Sequence, residues 1–170
     1  DWHYTMRCDT DWFEEFEKTY QPGEKEQSYC VEKTGVLTMR KVTEEPYEIE
    51  LDYAEEGYLS MMGRTVKEGR YPEEEGEAAL DEFTLRNLDI PRKIGTTFTL
   101  DGETFTLCGI VSEQPSALTQ RMQVFVNPTL DYGTNGTFLY VKFDESKDSY
   151  GQMSAFADTF GISEKEIAAN

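Results

Sequence analysis

Histidine occurs once in these 170 residues, as His3. An imidazole zinc site, a Ser-His-Asp triad or a Cys-His dyad would each have to rest on that one residue. Its position in an alternating stretch reads instead as a surface strand position. Cysteine is also scarce: Cys8, Cys30 and Cys108 show no CxxC spacing. Such a set is neither a disulfide framework nor a zinc pattern and reads as buried thiols; a Cys8–Cys30 pair stays open if their strands are neighbours. Basic residues number 16 against 34 acidic ones, a net charge of −18. That balance argues against nucleic acid, whose phosphates need clustered Lys and Arg, and it repels anionic lipid headgroups. No run approaches the roughly 20 apolar residues that span a bilayer. Asp1-Trp2-His3-Tyr4 reads as mature fold rather than as a signal peptide, which is also how a soluble piece of a larger membrane protein would begin. Nucleophile-elbow, phosphate-loop and dinucleotide-binding glycine motifs are absent too.

What is present is a foldable chain. Hydrophobic residues make up 38% and aromatics 13%, too much apolar material for a disordered acidic tail. The length suits one good core or two small lobes. Trp2, Tyr4, Met6 and Cys8 alternate with polar residues as a half-buried strand does. Asp11 and Glu14 form a capping-box pattern ahead of a helical stripe of Trp12, Phe13, Phe16 and Tyr20, stopped by Pro22-Gly23. Residues 27–42 read as one or two strands with Gly35 as a turn, and Tyr47, Ile49, Leu51 and Tyr53 as another strand. A short helix over 54–62 follows.

From Gly69 onward the texture is short strands and tight turns: a strand at Ala78–Leu80, a helix at Asp81–Leu88, and a hairpin turning at Asp101-Gly102 between Thr96–Leu100 and Thr104–Val111. Arg121–Asn127 is a further strand, ended by Pro128. After an Asn135-Gly136 turn, Leu139, Val141 and Phe143 mark the buried face of a strand. Met153, Phe156, Ala157 and Phe160 mark that of a helix closed by Gly161, and Ser163 with Glu166 would cap a terminal helix.

The acidic residues need separate weighing. Asp131, Gly133, Asn135 and Gly136 match the first half of a calcium loop, but Lys142 stands where a bidentate Glu is required. Asp144-Ser146-Asp148 fails because Gly151 comes two residues late. Asn135-Gly136-Thr137 is formally a glycosylation sequon and more simply a hairpin turn. Glu73, Glu74, Glu75 and Glu77 could pair for glycoside hydrolysis, yet adjacent glutamates on a turn face water, where nothing separates their pKa values. A solvated rim is the better reading, and neither an enzyme nor a cofactor is expected.

The order "EGRYP", an acidic spacer, "EAALDE", a short helix, "KIGTTFTLDGETFTLCGIV" and "VFVNP" over residues 68–128 resembles the extracellular, MacB-like periplasmic core domain of FtsX-like ABC transporter permeases. Gly69, Arg70 and Pro72 occupy that family's "GR.P" turn, and Glu77 opens the following strand. Gly95 and Gly109 match its later strand motifs, while Thr96 replaces the usual acidic residue. Gly69 and Gly95 are read as positions needing φ > 0, Pro72 as fixing φ, and Gly109 as admitting a close neighbour. The composition is similar to versions from Gram-positive bacteria.

The expected fold class is α+β and two-lobed. A porter-like α/β sandwich lobe from residues 1–66 and 135–170 would carry an inserted β-rich lobe, residues 67–134, with the termini close together. The resemblance implies a non-enzymatic domain on the extracellular face of the cell membrane. It would be joined to transmembrane helices of the same permease and work indirectly with a cytoplasmic ABC ATPase. It would couple ATP-driven motion to an external partner protein or a peptide- or lipid-linked substrate. Glu73, Glu74, Glu75 and Tyr71 would form the partner-facing surface. The alternative is a free-standing acidic surface module or adhesin using exposed aromatics such as Tyr71, Tyr132 or Tyr150.

Overall fold

The computed structural model describes residues 2–19, 28–127 and 137–170. Tyr20, Pro22, Gly23, Pro128, Asp131, Tyr132, Gly133, Asn135 and Gly136, which carried several of the readings above, lie outside them. The fold is mixed α and β, in two compact units. One comprises residues 1–37 and 136–170, the other residues 38–135. The sequence placed its division near 66 and 134 instead. Strand β3 (Tyr47–Ala54) is the physical reason for the difference: it pairs in parallel with β8 (Gln123–Val126), drawing residues 38–66 in with those that follow.

The terminal unit has the strand order β10-β1-β9-β2. Its strands are β1 (Tyr4–Cys8), β9 (Thr137–Phe143), β10 (Ile167–Ala169) and the first half of β2 (Val31–Glu44). Helices α1 (Thr10–Thr19) and α4 (Ser149–Phe160) supply its aromatic core. Phe16 meets Phe156 and Phe160 edge-on at 5.9 and 5.1 Å, geometry that adds to simple area burial. Trp12 Nε1 donates to the Phe160 carbonyl at 2.6 Å.

Several local expectations change here. The residue capping α1 is Asp9, whose carboxylate accepts from the Trp12 N–H at 2.7 Å, two residues before the Asp11 pattern. Gly35 is a buried residue within β2, not a turn. The expected terminal helix is a single 3-10 turn, Glu164–Glu166, followed by β10. β10 pairs antiparallel with β1, Tyr4 opposite Ala169. Three short residues cannot sustain a helix, but they can complete a sheet edge. Cys8, Cys30 and Cys108 are all free thiols; burial pushes Cys8 up to about 12 and Cys108 up to about 11, so neither is a reactive thiolate. His3 is half-buried, its Nδ1 accepting from the Phe143 N–H at 3.0 Å. Asp148 caps α4 by accepting from Gly151 N at 2.8 Å, and Asp144 accepts from Ser146 N at 2.9 Å. Both thus act as local caps.

In the second unit the order is β2-β3-β8-β5-β7-β4, with β6 beside β7. The strands not yet placed are β4 (Val66–Gly69), β5 (Glu77–Leu80), β6 (Thr97–Leu100) and β7 (Glu103–Val111). The β6–β7 hairpin turns at Asp101 and Gly102 with φ of 49° and 78°, both left-handed as a type I′ turn requires. Strand β4 has no alternating pattern and is held by pairing with β7. Ile49, Leu51, Leu80, Leu107, Val124 and Val126 form the core on one face, capped by Leu85 of α3 (Glu82–Asn87).

Two glycines let β4 meet β7. A Cβ on Gly69 would collide with the Cys108 carbonyl, and one on Gly109 with the Arg70 carbonyl. The Arg70 N–H donates to that Cys108 carbonyl at 2.9 Å. Gly63, at φ 72°, has open space around its missing Cβ. Gly109→Ala is therefore expected to cost about 2–3 kcal/mol, because backbone must move, and Gly63→Ala about 1 kcal/mol from strain alone. Urea unfolding of the two variants measures the difference; equal losses would contradict the close approach.

Candidate functional site

The turn that opens the acidic run is tied down by its own charges. Arg70, at the end of β4, grips Glu77, the first residue of β5, with both guanidinium nitrogens: Nη1 reaches Oε1 at 2.9 Å and Nη2 contacts Oε2. Glu77 Oε1 also accepts from the backbone N–H groups of Glu73 and Glu74 at 3.1 and 2.9 Å. This fork-on-fork pair staples the loop across its neck. The hydrogen bond from Arg70 is the main cause that holds Glu77 down at about 2, reinforced by those backbone donors. Glu73, Glu74 and Glu75 are exposed, as a solvated rim requires.

Tyr71 does not belong to that rim. It is buried and its hydroxyl donates to the Ala54 carbonyl at 2.7 Å; burial raises its phenol pKa further. A tyrosine between arginine and proline looked like an exposed aromatic, but the strand beneath it takes it into the core. Tyr150 is exposed. Pro72 is buried beside Tyr71. Gly95 has φ 96° and its N–H donates to Leu107 O at 2.8 Å. Thr96, where the motif departs, uses its backbone carbonyl to accept from Leu107 N at 2.8 Å, a role independent of side chain.

The cluster that sequence reading missed lies on the other face of β3. Ile49, Leu51 and Tyr53 point into the core, yet Glu50 and Asp52 between them are buried too. They belong to a chain of buried polar groups centred on Arg64, just beyond α2 (Glu56–Met61). Arg64 Nη1 donates to Gln123 Oε1 at 2.7 Å and Nη2 to Asp81 Oδ2 at 2.9 Å. Nε and Nη2 both reach the Ser112 carbonyl, at 3.2 and 2.9 Å. The guanidinium also sits 5.1 Å from the Phe125 ring centroid, a cation–π distance. Asp81 Oδ1 caps α3 by accepting from Thr84 N at 2.8 Å. Gln123 Nε2 donates to Asp52 Oδ2 at 2.7 Å, and Arg121 Nε donates to Glu50 Oε2 at 2.9 Å. An alternating polar–apolar strand normally signals one wet face. Nothing in the alternation marks that the second face is covered as well, since lateral pairing with other strands leaves a strand's faces open.

Among the described residues no cluster of His, Cys, Asp and Glu could hold a metal ion. A surface cavity of about 430 Å³ is lined by Leu85, Arg86, Ile90, Pro91 and Arg92. Arg92 there is paired with Glu82 at 2.7 Å and Glu68 at 2.9 Å.

Arg64→Leu is expected to cost about 3–5 kcal/mol, because Asp81 would be left charged and buried without its partner; side chains of the pair are 3% and 0% exposed. Calorimetric or urea unfolding tests this, and a loss under about 1 kcal/mol, the worth of a surface pair, would contradict it. For Glu77 the folded pKa lies below the ordinary 4.5. Its contribution is therefore present above about 4.5 and lost as pH falls through about 2. Glu77→Gln should flatten the acid limb of the unfolding curve over that window, measured by unfolding midpoint against pH.

No protein-family model and no curated protein matches the chain. Solved structures do. The periplasmic region of MacB from Actinobacillus actinomycetemcomitans superposes with a TM-score of 0.61 at 15% identity, over 99% of this chain and 87% of that one. A permease-protein domain from Porphyromonas gingivalis gives 0.61 at 11% identity, over 99% and 88%. The extracellular domain of the noncanonic ABC-type transporter YknZ from Gram-positive bacteria gives 0.63 at 13% identity, over the full length of both. Identities this low speak for the fold, and they agree with the resemblance read from the "GRYP" to "GIV" motifs. This chain has the fold of the periplasmic and extracellular domains of MacB-like ABC transporter permeases.

Proposed function

We propose that this chain is the non-enzymatic extracellular domain of an ABC transporter permease. It couples motion driven by ATP in the cytoplasm to a substrate or partner protein outside the membrane. The observation that carries this is the full-length likeness to such domains. A second geometric fact supports it. The two chain ends run side by side: β1 and β10 are paired, Asn170 N donates to the His3 carbonyl at 3.0 Å, and Asn170 Nδ2 donates to the Trp2 carbonyl at 2.8 Å. Two adjacent ends are what a domain inserted between two membrane helices needs. Among the described residues no helix is long and apolar enough to cross a membrane, so the anchors would lie in flanking sequence.

In this reading the terminal unit carries the connections to the membrane, and the exposed Glu73, Glu74 and Glu75 form an acidic rim open to a partner. Its charge steers cationic groups of a partner through long-range attraction. The reading assigns no catalytic role to the buried carboxyls Glu50 and Asp52, whose outer oxygens are taken by Arg121 and Gln123. The test uses the full-length protein in cells, with Glu74 changed to Cys. A membrane-impermeant maleimide should label that position on intact cells, and affinity purification in detergent should bring down an ABC ATPase. Labelling seen only after lysis, or recovery of the protein from the soluble fraction, would overturn the proposal.

A further inference from the structure

We propose that Glu50 and Asp52 hold one proton between them, forming a buried proton-binding pair on β3 that loosens the second unit when it is emptied. The first argument is geometric. Residues two apart on a strand share a face, and both members of this pair are buried there, Glu50 at 7% and Asp52 at 0% exposed. Each has one oxygen occupied, Asp52 Oδ2 by Gln123 and Glu50 Oε2 by Arg121. The remaining two, Glu50 Oε1 and Asp52 Oδ1, are buried and have no donor among the described residues. Two unsatisfied acceptors on one buried strand face are costly. A single proton between them satisfies both.

The second argument is charge balance. Among the described residues, the charged and titratable groups around the pair include Arg121 ahead of β8, Arg64 beyond α2, Asp81 at the α3 cap, Tyr58 on α2 and Tyr71 after β4, with Glu55 and Glu56 farther out beside Tyr71. Burial keeps the Tyr71 phenol neutral. Nearest the pair, Glu50, Asp52 and Asp81 share two guanidinium groups, and Arg64 is already committed to Asp81 at 2.9 Å. Arg121 balances one charge of the remaining two. The odd carboxyl stays neutral by keeping its proton, as like charges in close contact require. Burial, and after it the Glu50 charge, pushes Asp52 well above the ordinary carboxylate range, against the opposing pull of Arg121 and Gln123.

A raised folded pKa fixes the direction. The folded state binds this proton more tightly than the unfolded chain, so the stability it contributes is complete below the ordinary Asp value and is lost as pH rises through the folded value. Asp52→Asn replaces the shared proton with an amide. Its N–H can donate to Glu50 Oε1, while its oxygen still accepts from Gln123. Urea unfolding midpoints are compared from acidic to mildly alkaline pH. The wild type should lose midpoint as pH rises, and D52N should lack that decline and exceed the wild type at the alkaline end. Carboxyl carbon NMR of the wild type gives a second readout that needs no variant. A titration of Asp52 above the ordinary carboxylate range is expected. Parallel pH profiles for the two proteins, or titration of Asp52 at an ordinary carboxylate value, would overturn the proposal.

Discussion

A single buried guanidinium organises the second unit. Arg64 stands beyond a helix too short to be stable alone, and its guanidinium makes four hydrogen bonds, to the α3 cap, a β8 side chain and the carbonyl that follows β7. Each of these would otherwise be a polar group taken out of water without a partner. Arginine suits the place because its planar fork satisfies several acceptors at once and its face stacks on Phe125. The ion pair with Asp81 is not itself a large net gain, since desolvating two charges consumes most of the attraction. What it supplies is registry: α2, α3 and β8 can be satisfied together in one arrangement only.

The neck of the acidic loop solves a related problem with exposed groups. Gly69 and Gly109 bring the backbones of β4 and β7 so close that carbonyls occupy the space of side chains. That approach places Arg70 where it meets Glu77, and Glu77 in turn holds the N–H groups of Glu73 and Glu74. The glutamate run thus contains two kinds of residue. Glu77 is a clasp inside the fold, and Glu73 to Glu75 are the rim it presents to solvent.

Much of this was legible in the residues. The Asp101-Gly102 hairpin, the Asp81 helix start, the β9 face of Leu139, Val141 and Phe143, and the α4 stripe closed by Gly161 all follow from local chemistry. Short-range steric and hydrogen-bonding preferences decide such features, so a few consecutive residues suffice to read them. Tyr71, Gly35 and the C-terminal strand were not legible. Their states depend on what lies across the sheet, and a tyrosine, a glycine or a three-residue tail carries no mark of that.

The sequence alone determined the mixed α and β character, the turn glycines and the motif order shared with permease extracellular domains, because each is encoded within a few neighbouring positions. Only the tertiary structure decided that Glu50 and Asp52 are interior and that Arg64 is their near neighbour. Burial of both faces of β3 depends on how the neighbouring α2 folds back against it and on β8, distant in the chain, pairing beside it. Whether a carboxylate meets water or another carboxylate is fixed by that long-range packing.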